Sequence, residues 1–300
     1  MSLLLGVDAG GTRTTAAVAG ADGTILARAE AGPGRVRPGQ ASVAAAAIFS
    51  AARDALQRAR VEGPARALVV GASGVAHPTD RDALAAALEG SGLAHRLAVT
   101  TDAEIALESA FGTEPGIVLL AGTGSVAWAR LPNGKMTRAG GLGPVLGDRG
   151  SAHDLGREAL RAIGVDLEMG LKLDLTRRVA QHLGIPPADL PRWSLVATVL
   201  DIAALAPLLL DVAASGDNVT RALVQQGARQ LATLVAALAR AFPSGDSVRV
   251  ACGGGLLTSR TDYRALVDAD VREFVPGVSI EKDCVDAVTG AVAMARRLGT

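Results

Sequence analysis

The sequence predicts an α/β protein whose two halves repeat one plan of strand, glycine turn, strand, hairpin and covering helices. Three observations carry this. Short apolar runs of strand length alternate with stretches of helical periodicity. The order of strand, glycine turn and hairpin occurs at residues 3–30 and again at residues 117–138. Glycines gather where runs of strand length end, which is where backbone must turn sharply or approach a ligand.

Residues 3–9, 14–19 and 25–30 read as strands, the last two joined by Ala21-Asp22-Gly23-Thr24, since Asp-Gly between apolar runs is a hairpin signal. A helix is expected over 41–60, then a strand (67–70), a helix (80–89), a strand (97–100) and a helix from Asp102. Such alternation implies parallel strands covered by helices. The second half opens with strands 117–121 and 125–130 around Gly122-Thr123-Gly124. Pro132-Asn133-Gly134 then turns the chain into strand 135–138. Helices are expected over 151–163, 171–182, 192–211 with a break near Pro207, and 217–241. A buried strand (248–252), a helix near 262–268, a short strand (278–280) and a closing helix (286–298) follow.

Thirty basic and thirty acidic side chains give no net charge, which argues against nucleic acid or an anionic membrane as partner. Aromatics are 2% of the chain, so the core rests on Ala, Val and Leu and a base-stacking surface is not expected. Cys252 and Cys284 form no C-x-x-C pattern, which fits a reducing compartment and no zinc or iron–sulfur site. The N-terminus lacks a basic, long apolar leader, and the longest later apolar run, 202–210, is nine residues, far short of a membrane span. A soluble, cytoplasmic protein of two medium domains is the expectation. His77, His95, His153 and His182 show no metal-ligand spacing and read as surface or capping residues.

Four glycine clusters are candidate sites. In Asp8-Ala9-Gly10-Gly11-Thr12-Arg13-Thr14 the glycine amides suit phosphate oxygens, Thr12 and Thr14 add hydroxyls, and Asp8 suits a divalent metal; an ordinary tight hairpin is the alternative. Gly122-x-Gly124-x-x-Ala127 fits a dinucleotide fingerprint only as a pattern, because a strand follows where that fingerprint needs a helix. A phosphate-binding hairpin turn survives that test. The loop from Gly140 to Ser151 leads into a helix with Ser151 as its N-cap and is either a connector or a ligand loop. Gly253-Gly254-Gly255 follows a buried strand, where α/β sheets bind ligands, or is a plain strand-to-helix turn. Asp102, after a strand and at a helix start, either points into a cleft or caps the helix.

In this order these pieces resemble the BadF/BadG/BcrA/BcrD ATPase family, and most closely its N-acetylglucosamine and glucosamine kinase branch within the actin, sugar kinase and Hsp70 superfamily. The resemblance spans the chain and includes Ala213-Ala214-Ser215-Gly216-Asp217 and Ala287-Val288-Thr289-Gly290-Ala291. It implies two α/β domains of duplicated ribonuclease H-like, actin-like ATPase topology with a central cleft. The N-terminal domain would cover residues 1–112, with the last helix, 286–300, packing back on it; residues 113–285 would form the second, with a helical insertion. It further implies an ATP- and Mg²⁺-dependent kinase that phosphorylates the 6-hydroxyl of an amino sugar and forms a homodimer. Asp102 would be the catalytic base. Gly10, Gly11, Thr12, Arg13, Thr14, Gly122, Thr123 and Gly124 would bind the ATP phosphates, and Gly253, Gly254 and Gly255 the adenosine. Asp8 would hold the metal, while Asp102, Thr123, Asp148 and Arg35 would contact the sugar. Phosphoryl transfer asks for the same parts: phosphate donors, a metal and a base.

Two departures bear on the substrate. Gly32-Pro33-Gly34-Arg35 stands where related sugar kinases usually have Gly-Pro-x-Asn, and Arg149 where the branch usually has Glu after Leu-Gly-Asp. Either arginine would suit a more anionic sugar, such as a muramic acid derivative; glucose is a further alternative. Among other classes, a dehydratase activator of this family needs closely placed cysteines for an iron–sulfur cluster, which Cys252 and Cys284 do not evidently supply. A sugar-binding regulator would carry a helix-turn-helix before the first strand. A phosphatase using Asp8 as nucleophile would want Asp where Gly10 stands.

Overall fold

The computed structural model describes residues 3–243, 245 and 247–299. The chain divides into two units, Met1–Glu114 with Val285–Thr300, and Pro115–Cys284. In chain order the first contains β1 (Leu4–Ala9), β2 (Thr14–Ala19), β3 (Ile25–Ala31), α1 (Ala41–Arg58), β4 (Ala65–Ala72), α2 (Pro78–Leu88), β5 (Ala94–Thr101) and α3 (Asp102–Phe111). The second opens with β6 (Gly116–Ala121), β7 (Ser125–Arg130) and β8 (Met136–Gly140). It continues through α4 (Gly143–Leu146), α5 (Ala152–Met169), α6 (Asp174–Leu183), α7 (Leu190–Ser194), α8 (Val199–Ala203), α9 (Ala206–Ala214) and α10 (Asn218–Ala239). It closes with β9 (Arg249–Gly253), α11 (Gly255–Ser259), α12 (Thr261–Phe274) and β10 (Ser279–Ile280), after which α13 (Ala287–Gly299) returns to the first unit.

The duplication expected from element order is present in the hydrogen bonding. The first sheet runs β3-β2-β1-β4-β5 and the second β8-β7-β6-β9-β10, the same order with the same senses. In each, three antiparallel strands begin the sheet and two parallel strands extend it beyond the first. Central strands of such sheets are covered on both faces and read as unbroken apolar runs. β1 obeys this, with Leu4, Leu5, Val7 and Ala9 all buried.

Small residues let α13 settle close on the first sheet. A Cβ added at Gly6 of β1 would lie 2.6 Å from the Val292 backbone nitrogen, and one at Gly290 would run into the Ile105 carbonyl and lie 2.7 Å from the Ser109 nitrogen. Val288, Ala291, Val292 and Ala295 thereby cover Leu4, Ala17, Val69 and Ile105. The Ala-rich face of α1, with Ala44, Ile48, Ala51, Ala52 and Ala55 buried, belongs to a separate apolar cluster with Leu5 and Val7.

Three expectations about elements change. Residues 192–211 are not one helix broken near Pro207: they contribute to α7, α8 and α9, and Pro207 lies in the first turn of α9, where its missing N–H costs nothing. One break falls ahead of α8, which Thr198 and Asp201 start with reciprocal capping bonds. The helix expected to stop at 163 carries Gly164 in its interior and ends at Gly170, whose φ of 67° is left-handed. The helix near 262–268 runs on to Phe274, because Tyr263, Val267 and Val271 keep one buried face. Among the described residues no helix is long and apolar enough to cross a membrane.

Candidate active site

In the first unit, the sheet order brings the C-terminal ends of β1, β4 and β5 side by side, with Asp8 opposite Gly71 and Gly71 opposite Thr100. The Gly10–Arg13 turn closes with the Gly10 amide donating to the Arg13 carbonyl at 2.9 Å. Gly11, Thr12 and Arg13 are exposed at its tip, and among the described residues the amides of Gly11 and Thr12 have no intramolecular partner. That is a donor pair open to phosphate oxygens. Arg13 pairs with Glu30 at 3.4 Å in solvent, a weak contact. Thr14 departs from its expected phosphate role: it is fully buried and its hydroxyl donates to the Gly32 carbonyl at 2.9 Å, tying the turn to the chain after β3.

Asp102 is not the cap of α3. Thr101 is, accepting from the Glu104 amide at 3.2 Å while the Glu104 carboxylate accepts from the Thr101 amide at 3.0 Å. Asp102 is therefore left at the first helical position, its carboxylate accepting from the Ala103 amide at 2.9 Å and from the Ser73 hydroxyl. Burial pushes its pKa up, against the pull of the Ala103 amide, the Ser73 hydroxyl and the Arg35 charge. Asp8 is pushed up to about 7, first by burial, then by the charge of Asp102 and, more weakly, of Asp286, with Arg13 pulling the other way. The structure thus gathers Asp8, Arg13, Arg35 and Asp102 in one electrostatic neighbourhood and adds two residues that sequence reasoning missed, Ser73 and Asp286. Ser73 sits in Gly71-Ala72-Ser73-Gly74 just past β4, and Asp286 just before α13; in both, a polar residue adjoins the end of an apolar element, the only signal available.

In the second unit, three glycine clusters far apart in sequence converge. The Gly122 amide donates to the Gly124 carbonyl at 2.9 Å, and the first amides of α5 fasten onto that turn, Ala152 to Gly122 at 2.8 Å and His153 to Thr123 at 3.2 Å. Asp148, at a left-handed φ of 55°, folds over the turn: its carboxylate accepts from the Ser125 amide at 3.3 Å and would lie 2.8 Å from any Cβ at Gly124. Gly254 sits against the end of β6, where a Cβ would come within 2.8 Å of the Ala121 nitrogen, and its φ of 87° also demands glycine. Gly255 lies beside Gly122, its nitrogen 3.5 Å from where a Cβ of Gly122 would be. Ser151 caps α5 as expected, accepting from the Asp154 amide at 3.2 Å.

Two histidine readings divide. His77 caps α2, accepting from the Thr79 amide at 3.3 Å, but His153 is buried rather than a surface group, and burial holds its pKa down. The thiol of Cys252 is buried and pushed up to about 12 by that burial. Cys284 lies beside the Arg264 guanidinium, Sγ at 3.6 Å.

Duplicated mixed sheets, each with a glycine turn after its first strand, define the two-domain fold of actin-like ATPases and sugar kinases. More narrowly, residues 5–295 match the BadF/BadG/BcrA/BcrD ATPase family, and the chain belongs to it. It is similar to an N-acetylmuramic acid/N-acetylglucosamine kinase of Clostridium acetobutylicum, 26% identical over 99% of both chains. It is 24% identical to an N-acetyl-D-glucosamine kinase of Dictyostelium discoideum, over 98% of this chain and 97% of that one. A solved structure from Chromobacterium violaceum, provisionally named an N-acetylglucosamine kinase, superposes with a TM-score of 0.79 at 29% identity, over 100% of this chain and 99% of that one.

Proposed function

We propose that this chain is an ATP-dependent carbohydrate kinase that phosphorylates an amino sugar, at its 6-hydroxyl. The observation that carries the reading is Asp102, a carboxylate freed from capping duty by Thr101 and held by Ser73 and the Ala103 amide at the end of β5. Both curated relatives that span the chain are named amino-sugar kinases. In the proposed reaction Asp102 takes the proton of the acceptor hydroxyl as its oxygen bonds to the γ-phosphorus of ATP and the bond to ADP breaks. A carboxylate whose pKa is raised by burial accepts that proton more readily than a solvated one.

The first unit offers the Gly11 and Thr12 amides for phosphate, and Arg35 and Asp102 for sugar. The second offers the turn Gly122, Thr123 and Gly124 for phosphate and Gly253–Gly255 for adenosine. Asp148 is proposed to steady that turn as well as reach the sugar. Asp8 suits Mg²⁺: burial and the nearby charge of Asp102 raise its cost of ionisation, a burden a divalent cation relieves. Among the described residues no group of three or more His, Cys, Asp or Glu could hold a metal alone, which fits an ion bound mainly through water and phosphate oxygens. Bound there, Mg²⁺ would supply charge neutralisation on the transferring phosphate. A dehydratase activator is disfavoured, since Cys252 is buried in the apolar core of the second unit.

The test is ADP release with glucosamine, N-acetylglucosamine, glucose, N-acetylmannosamine and N-acetylmuramic acid. Sugar-stimulated release is expected with at least one amino sugar, and none anywhere in the panel removes the kinase reading. Asp102→Asn is expected to lower kcat by about 10²–10⁴-fold. Full activity in that variant would leave the kinase standing and remove Asp102 as its base.

A further inference from the structure

Tyr263 is the chain's one tyrosine, and it lies fully buried on α12. Its ring belongs to the apolar core of the second unit, a place that phenylalanine would fill as well. Its hydroxyl reaches further, donating to the carbonyl of Gly150 at 2.9 Å. Burial, then the charges of Asp154 and Asp270, push its pKa up, so the hydroxyl keeps its proton and stays a donor. Room for it comes from α10, where a Cβ at Gly227 would lie 2.8 Å from the hydroxyl oxygen, although glycine weakens a helix interior.

Gly150 ends the loop that carries Asp148, and all three peptide units between Asp148 and Ser151 are held. The Asp148 carbonyl accepts from the Ser151 amide at 3.1 Å and the Arg149 carbonyl from the Ser125 hydroxyl at 2.8 Å. The Gly150 amide donates at 2.8 Å to the buried carboxylate of Asp154, which Arg157 grips at 2.6 Å. Of these partners only Tyr263 comes from outside the glycine turn and α5, and a Cβ at Gly150 would run into the Gly227 carbonyl of α10. Such a clamp matches a strained residue: a non-glycine residue with left-handed φ persists where its surroundings over-determine it, and Asp148 has a φ of 55°. Its carboxylate is thereby set over Gly124, accepting from the Ser125 amide at 3.3 Å. We infer that Tyr263 is a positioning residue, which acts through the Gly150 backbone to hold Asp148 over the Gly122–Gly124 turn in the geometry that receives the sugar. The inference rests on the kinase reading above and adds a buried residue that serves the site only through another.

The experiment is a double-mutant cycle on kcat/KM for the amino sugar that the native protein turns over best. It uses Tyr263→Phe, Asp148→Asn and the double variant, slow variants being read at high enzyme concentration. Tyr263→Phe is expected to lower kcat/KM about tenfold, mainly through KM for the sugar, as loss of one buried hydrogen bond and a small misplacement allow. In the Asp148→Asn background the same substitution should cost nothing further, because its effect passes through that carboxylate. A merely structural tyrosine would show the same fractional loss in both backgrounds, and that result overturns the inference. So does an unchanged kcat/KM in Tyr263→Phe, or a loss confined to KM for ATP, which would assign the bond to the glycines before α11. Circular dichroism checks that each variant is folded; if Tyr263→Phe is not, Asp154→Asn, which weakens the other bond at Gly150, enters the same cycle with the same expectations. No sugar-stimulated ADP release from the native protein overturns the kinase reading itself.

Discussion

At Asp8 a carboxylate is kept where water would not leave it. Burial and the neighbouring Asp102 raise its pKa from 3.8 to about 7. Between about pH 4 and pH 7 the metal-free folded chain therefore holds a proton that the unfolded chain has released, and stability falls as pH rises through that window. Asp8→Asn keeps the shape without the charge. Thermal unfolding of the metal-free protein should show a shallower fall in Tm from about pH 5 to pH 7 in that variant than in the native chain. Parallel slopes would mean that Asp8 is not the strained group. Thr14 teaches the opposite lesson: two hydroxyls in one motif looked equivalent, yet Thr12 is exposed and Thr14 faces inward to Gly32. Position decides the difference: Thr12 sits in the exposed turn, whereas Thr14 is the first residue of β2, a strand buried along most of its length.

Among the elements, α13 decides the most for its length. Its Gly290 permits backbone contact with α3, and Ser109 and Thr289 join the two helices through their hydroxyls at 3.0 Å. Gly290→Ala adds one methyl where the Ile105 carbonyl already sits. We expect it to lower unfolding free energy by about 1–3 kcal/mol despite the better helix propensity of alanine. A denaturant midpoint equal to or above the native one would show that the helices separate without cost. Strand limits were readable within a residue or two for β1, β2 and β7, whose alternation or unbroken apolar run ends at glycine or a polar turn. The span 190–214 was not: nearly uniform apolarity hides periodicity, and the break at Thr198 comes from side-chain capping.

Taken as a whole molecule, the chain makes its first unit from two distant segments, Met1–Glu114 and Val285–Thr300. Removing residues 285–300 would bare the side of the first sheet where Leu4, Ala17 and Val69 lie under α13. Loss of the cooperative unfolding transition of that unit is expected by calorimetry, while the transition of Pro115–Cys284, whose sheet and core are its own, persists. Two intact transitions in the truncated chain would contradict a discontinuous first unit.

By itself the sequence determined the α/β class, the repeated strand order and the glycine turns, because these rest on local periodicity and on backbone freedom that only glycine supplies; the family followed from the match of its motifs. Tertiary structure alone decided which side chains meet. Ser73 reaches Asp102 because β4 lies between β1 and β5 in the sheet, and Asp148 lies over Gly124 because a left-handed turn folds its loop back. Arg35 stands by Asp102 because Gly34 and Val36 are each hydrogen-bonded to a different strand end. The physical reason is common to all three. Chain neighbours interact through short-range dihedral and capping preferences, whereas these pairs are joined by sheet order and close packing, which no local stretch of sequence encodes.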